Sequence, residues 1–292
     1  MRKSLLAILL VWVPCLTLAD AHPVTMWLAE GTNNRIYILG SVHLLRQQDH
    51  PLPSVMEAAY DDAEALIMEV DMDDLDPAAL QVATNQLGVI HDDRTLRDFM
   101  GDGLYQQAVV AAEEMDIPFD MLSKTEPWYA AITVEQLALM RIGFNPMYGI
   151  EMHMTMKATQ DGKSIEGLET VEEQLAYLDG LSLDAQNDLL MQTLAEGKNI
   201  EAFMDDMVRA WRNGDIDYMK DTMLEDMAQY PELYKSIVVD RNRRWVGTIE
   251  DLLDDNDDYL IIVGALHLIG EHGLPALLAK RGIRIGQLNE SL

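Results

Sequence analysis

Two stretches of the chain end an apolar run at a glycine and place a histidine three residues further on. One is Ile36-Tyr37-Ile38-Leu39-Gly40-Ser41-Val42-His43; the other is Leu260-Ile261-Ile262-Val263-Gly264-Ala265-Leu266-His267. A third run, Ala65-Leu66-Ile67-Met68-Glu69, carries a carboxylate near its end. Imidazole and carboxylate groups are donors for manganese, cobalt, zinc or iron, and three protein ligands leave a coordination position for water. A bound cation lowers the pKa of that water toward neutrality and polarises a scissile carbonyl. A single Gly-x-x-His has a plainer reading, a histidine capping its own loop through a backbone hydrogen bond. Two such units together with Glu69 point to a site.

Other residues have chemistry to offer and a plain role to set against it. Glu151 and His153 are two apart; they diverge on a helix, but on an extended or turning segment both face one cleft. There one of them would serve as ligand or general base; otherwise they are polar groups at a helix start. Glu169 either holds one of the site's own groups in place from outside or is an acid at a helix N-terminus. Arg241 would stabilise an oxyanion or hold a substrate carboxylate, or else pair with some of the many acids. His22, His50, His91 and His272 lack comparable settings. No Gly-x-Ser-x-Gly elbow, Walker loop or dinucleotide fingerprint is present.

The elements that must position these groups can be read in order. Thr25–Leu28 and Arg35–Leu39 flank a Gly/Asn turn, a hairpin signal. Ser54–Asp62 reads as a helix with Ser54 as N-cap, and Ala65–Asp71 as the next strand, giving a β-α-β unit. From Asp76 to about Ala210 the pattern is helical, including Pro127 onward, a segment near Gly149–Ala158, and Thr170–Leu178 with a Thr170/Glu173 capping box. Ser164–Leu168 is a short strand or turn. A helix starts at Asp240 and runs to Leu253. The Leu260–Val263 strand, a helix at Leu274–Leu278 and a last strand at Ile283–Ile285 close the chain. The run Leu260–Val263, apolar without interruption, is that of a strand covered on both faces, and open α/β sheets bind ligands past the carboxyl ends of such strands. The expected fold is α/β: a mixed sheet built from N- and C-terminal β-α-β units, with a helical insertion or cap over about 76–235. The many methionines read as core filling.

The chain has 292 residues, 21 basic and 50 acidic, and a formal net charge of −29. Arg2-Lys3, the apolar run Leu5–Leu18 and Ala19-Asp20-Ala21 fit a cleavable signal peptide over residues 1–21, which predicts a periplasmic or secreted protein with one domain over 22–292. Cys15, the sole cysteine, falls in that leader, which excludes a disulfide framework, a thiol nucleophile and a cysteine zinc site from the remainder. The acidity excludes nucleic acid and anionic membrane as natural partners. It reads as solvated surface or as adaptation to salty surroundings.

The two Gly-x-x-His units and Glu69 come with Pro127-Trp128, Gly149-Ile150-Glu151-Met152-His153, Gly162-Lys163, Gly167-Leu168-Glu169-Thr170, Gln174-Leu175, Arg241-Asn242 and Trp245. In that order they resemble the TraB/GumN family, which includes PrgY proteins and the Tiki ectodomains, over about Trp27 to Ile285. Glu151 departs from the family's more usual Asp, keeping the acid with a longer reach. The resemblance implies a fold akin to erythromycin esterase and the haem-binding ChaN proteins. For Tiki-like members it implies a divalent-metal-dependent peptidase, with manganese or cobalt the first expectation and zinc or iron next. Carried over, His43, Glu69 and His267 form the metal site and a peptide or protein is the substrate. The competing expectation is a binding protein that holds haem, metal or peptide in the same cleft without turnover. A third is an inactive relative that sequesters a signalling peptide.

Overall fold

The computed structural model describes residues 22–224, 227 and 229–290, so the leader expected at 1–21 lies outside the described residues. The strands are β1 (Pro23–Glu30), β2 (Arg35–Ser41), β3 (Ala65–Met68), β4 (Ile165–Gly167), β5 (Tyr259–Gly264) and β6 (Ile285–Asn289). They form one mixed sheet in the order β4-β3-β5-β2-β1-β6. Strands β4, β3, β5 and β2 are mutually parallel, and β1 is antiparallel to both of its neighbours. The helices of seven residues or more are α1 (Ser54–Asp62), α2 (Pro77–Gly88), α3 (Asp102–Glu114), α4 (Pro127–Arg141), α5 (Ile150–Asp161), α6 (Val171–Asp179), α7 (Leu183–Glu196), α8 (Ile200–Arg212), α9 (Asp240–Leu253) and α10 (Leu274–Lys280). No helix among the described residues is long and apolar enough to cross a membrane.

Side chains of successive strand residues point to opposite faces, and here both faces are apolar. Leu39, Leu66, Met68, Leu260 and Ile262 join one core with Tyr60, Met154 and Trp211, from α1, α5 and α8. Ile36, Ile38, Ile67, Ile261 and Val263 join the other with Trp245, Ile249 and Leu278, from α9 and α10. Each such aliphatic side chain, once buried, contributes about 1.5–3 kcal/mol. A third cluster, around Leu96, Ala108, Phe119, Val134 and Leu190, gives the helical region between β3 and β5 a core of its own.

The two end units interleave. Strand β5 inserts between β3 and β2, with Met68 opposite Ile262 and Ser41 opposite Gly264. The carboxyl ends of three parallel strands therefore stand side by side with Gly264 in the middle. Some boundaries differ from expectation. The third strand stops at Met68, so Glu69 lies just past it. The N-cap of α1 is Pro53; the Ser54 backbone N–H and hydroxyl instead donate to Glu290 Oε1 at 2.9 and 3.1 Å. The last strand begins at Ile285 rather than Ile283, because its partner Ala29 sets the register there.

Candidate functional site

Gly264 ends β5 and marks the centre of the site. A Cβ added to it would lie 3.3 Å from Glu69 Oε1, 3.7 Å from His267 Cδ2 and 3.7 Å from His43 Nε2. Three side chains from three strand ends thus meet over one glycine. Gly40, its counterpart in the other unit, has a different task. A Cβ there would meet Thr25 Cγ2 at 2.7 Å and Ala265 Cα at 3.1 Å, so glycine lets the two loops pack against each other.

His267 sits in a short 3-10 turn, Ala265–Leu268, and is 3% exposed. Its ring packs 4.6 Å from that of Trp245. Asn242, completely buried in the first turn of α9, fixes its tautomer. The Asn242 Nδ2 amide donates to the carbonyls of His267 (3.0 Å) and His272 (2.8 Å). Its Oδ1 is thereby left to accept from His267 Nδ1 at 2.7 Å. Nδ1 carries the proton and Nε2 presents a lone pair. Burial pushes the His267 pKa down to about 4, so the ring is neutral at pH 7.

His43 follows β2 and keeps a side chain that is 62% exposed. Its Nδ1 donates to Glu151 Oε1 at 2.7 Å, and Ser41 Oγ donates to the same oxygen. The Glu151 charge and hydrogen bond, with smaller pulls from Glu69 and Glu135, raise the imidazole to about 10, so the ring carries a proton on Nε2 that a cation there would have to displace. Glu151 stands in the first turn of α5, whose N-cap Gly149 touches the His43 backbone: a Cβ on Gly149 would lie 2.0 Å from the His43 carbonyl oxygen. The Ile150 N–H donates to the Val42 carbonyl at 3.2 Å. Glu151 Oε2 is buried and has no hydrogen-bond partner among the described residues.

Glu69 is 8% exposed. Its Oε1 accepts from the Gly264 N–H at 2.7 Å and lies 3.7 Å from His267 Nε2. Its Oε2 accepts from Gln174 Nε2 at 3.0 Å and from Arg241 Nη2. Burial pushes this carboxyl up, but the opposing pull of His267, Arg241 and His43 is larger and leaves it at about 2. Arg241, 5% exposed, lies across the site. One edge of its guanidinium, Nε and Nη2, grips Glu169, with Nε 3.3 Å from Oε2; Nη1 donates to His267 Nε2 at 3.2 Å. Glu169 is held further by Arg244 at 3.1 Å, and its side chain is 1% exposed.

The structure thus brings His43, Glu69, His267, Glu151 and Arg241 together and leaves His153 outside. Glu151 and His153 lie on a helix, where two positions differ by about 200°. His153 Nε2 is 3.0 Å from Glu57 Oε1 on α1, facing away from the site. Glu151 meets His43 at Nδ1, while Nε2 is the ring nitrogen nearest Gly264. Sequence reasoning assigned no role to Ser41, Gln174 or Asn242. The available signal was on α9, where Arg241 and Asn242 continue the buried stripe Trp245, Val246, Ile249 and Leu253 with polar groups. Polar side chains in the apolar stripe of a helix need partners.

The donor types and their anchoring suit a divalent cation: two imidazoles with Nδ1 tied back and a carboxylate oxygen beside them. Among the described residues no three His, Cys, Asp or Glu side chains are already disposed to hold an ion; the Arg241 guanidinium occupies the Nε2 lone pair of His267. An open cavity of about 470 Å³, lined by Ile142, Gly197, Asn199, Ile200, Glu201, Ala202 and Asp205, includes none of these residues in its lining; its Asp205 Oδ1 accepts from Arg46 Nη1 at 2.6 Å.

The chain is similar to the protein YbaP of Escherichia coli (strain K12), 26% identical over 246 residues, which is 84% of this chain and 88% of that one. It is similar to YbaP of Shigella flexneri to the same extent. No solved structure matches the chain. The profile of the TraB/PrgY/gumN family matches residues 25–287, nearly the whole of the described chain, and the protein belongs to that family.

Proposed function

We propose that the protein is a periplasmic or secreted metal-dependent hydrolase acting on peptide bonds. One observation carries this reading. Each imidazole has its Nδ1 tied to a side-chain oxygen, the Glu151 carboxylate or the Asn242 amide, and turns its other edge toward Gly264 beside Glu69 Oε1. Metal-ligating histidines are oriented in this way, by a partner on the second ring nitrogen. His43, Glu69 and His267 would hold the cation, with manganese or cobalt first and zinc or iron next. When bound, the cation supplies an ionised water and a Lewis acid for the scissile carbonyl. The chain's own groups do the rest. Glu151 and Asn242 orient the ligands, Gln174 and the Gly264 N–H hold the Glu69 carboxylate, and Arg241, tied to Glu169, supplies positive charge near a developing oxyanion. The peptide bond as substrate rests on the likeness to Tiki-type members, and the exported location on the leader-like residues 1–21.

A second reading has one observation in its favour. Arg241 already neutralises Glu69 and bonds to His267, which suits a cleft that binds haem, metal or peptide without turnover. Purification without chelator, followed by metal analysis and a mixed peptide library assayed with and without added manganese or cobalt, separates the two. The hydrolase reading expects bound metal, metal-stimulated cleavage, and loss of both in His43→Ala. Unchanged metal content in that variant would overturn it; metal without cleavage would favour the binding protein.

A further inference from the structure

We infer that Arg241 and a divalent cation are alternative occupants of the same lone pairs, and that Glu169 is the buried carboxylate that keeps hold of the guanidinium when the cation enters. This rests on the metal reading above and goes beyond it, by naming what the cation must displace and where the displaced charge goes.

The argument begins with the tautomer. Asn242 spends both amide hydrogens on backbone carbonyls, so its oxygen takes the His267 Nδ1 proton and the acceptor lone pair is on Nε2. Arg241 Nη1 donates to that lone pair at 3.2 Å. Zinc ligated by imidazole sits about 2.0–2.1 Å from the nitrogen, and the other first-row divalent ions bind through the same lone pair. Along the same line, that leaves only about 1 Å between the ion and Nη1, far inside any contact distance. Both cannot be present. Arg241 Nη2 likewise bonds Glu69 Oε2, so the guanidinium holds two of the three expected ligands at once.

The guanidinium also has a place to go. Its Nε and Nη2 face Glu169, whose side chain is 1% exposed. The planar fork of arginine can keep that bidentate edge while releasing the other. Without such a partner, a displaced buried guanidinium would be left uncompensated, at a cost of several kcal/mol. Arg244, half exposed, steadies Glu169 from the far side at 3.1 Å. The arrangement predicts opposite consequences for two neighbouring substitutions. Arg241→Gln removes the competitor and leaves Glu69 and Glu169 short of positive charge, so cobalt and manganese bind more tightly. Glu169→Gln removes the fallback partner and leaves Arg241 committed to Glu69 and His267, so they bind more weakly.

The experiment uses the full chain stripped with chelator and titrated with cobalt alone. Binding is read by calorimetry and by the visible absorption of the bound ion, with a thermal melt of each variant as a check of folding. The expected result is an affinity at least tenfold higher than wild type in Arg241→Gln and at least tenfold lower in Glu169→Gln. Shifts of the same sign in both variants, or no shift in either, would overturn the inference while leaving the metal reading standing. If Arg241→Gln does not fold, an affinity in Glu169→Gln equal to that of wild type overturns it alone. If neither wild type nor Arg241→Gln binds cobalt, the metal reading itself falls and takes this inference with it.

Discussion

His267 is a titratable side chain held almost out of reach of water, and that is measurable as stability. Burial holds its folded-state pKa at about 4, below the ordinary 6.5. As pH falls, the unfolded chain therefore takes up the proton first. The contribution is fully present above about pH 6.5 and is lost progressively as pH falls to about 4, on the order of 3 kcal/mol in all. Glu69, held at about 2 against an ordinary 4.5, acts in the same direction over a lower window, from about 4.5 down to 2. Urea melts at a series of pH values would measure the slope. The difference between wild type and His267→Asn isolates this one group from the many surface acids. The variant is expected to lose most of the slope between pH 6.5 and 4; an unchanged slope would show that the ring is solvated and not sealed against Trp245.

At the scale of elements, the site depends on how closely α5 approaches the His43 loop. Gly149 adopts φ −62°, a conformation open to any residue, so its glycine is explained by space and not by backbone strain. Gly149→Ala drives a Cβ into the His43 carbonyl and is expected to cost about 1–3 kcal/mol as an overpacked contact. It should also weaken metal binding, because Glu151 can no longer reach His43 Nδ1. Gly162→Ala provides the contrast. It caps the other end of α5 at φ 72° with nothing within 4 Å, so it should cost stability through strain alone and leave metal affinity unchanged. Equal metal affinity in the two variants would break the link between α5 and the site. The same elements show what could be read in advance. Buried parallel strands are unbroken apolar runs, so β2, β3 and β5 were legible, as were the two histidines at their ends. The insertion of β5 between β3 and β2 was not, because the pattern of one strand does not name its neighbours. The separation of Glu151 from His153 followed only once the segment was known to be helical. The Arg241–Glu169 pair was hidden for another reason: in a chain with 50 acids, composition does not single out the one that is buried.

For the whole molecule, the imbalance of charge sets the conditions under which the fold is strongest. With 21 basic residues against 50 acidic ones, acids outnumber cations more than two to one, and even where one cation serves two acids the charge is left unbalanced. Several of the described basic residues are already engaged with acids: Arg35 with Asp62 and Asp258, Arg46 with Asp49 and Asp205, Arg281 with Glu250, and Lys157 with Glu57 and Asp61. Salt acts on both populations in opposite senses. It weakens the exposed pairs, each worth about 0–1 kcal/mol, and it screens repulsion among the surplus acids, which expansion of the chain would otherwise relieve. The Debye length falls from about 10 Å at 0.1 M to about 3 Å at 1 M, shorter than the spacing of most surface charges. Because repulsive pairs outnumber attractive ones, the net effect should favour the folded state. The urea midpoint is expected to rise steadily between 0.05 and 1 M sodium chloride with little change in slope, since the surface exposed on unfolding is the same. Chloride is the right anion for the measurement, as sulfate would add its own general stabilisation by exclusion from the surface. A midpoint that stays level or falls would mean that the pairs outweigh the surplus acids, and that the acidity is mere solvated surface with no part in setting stability.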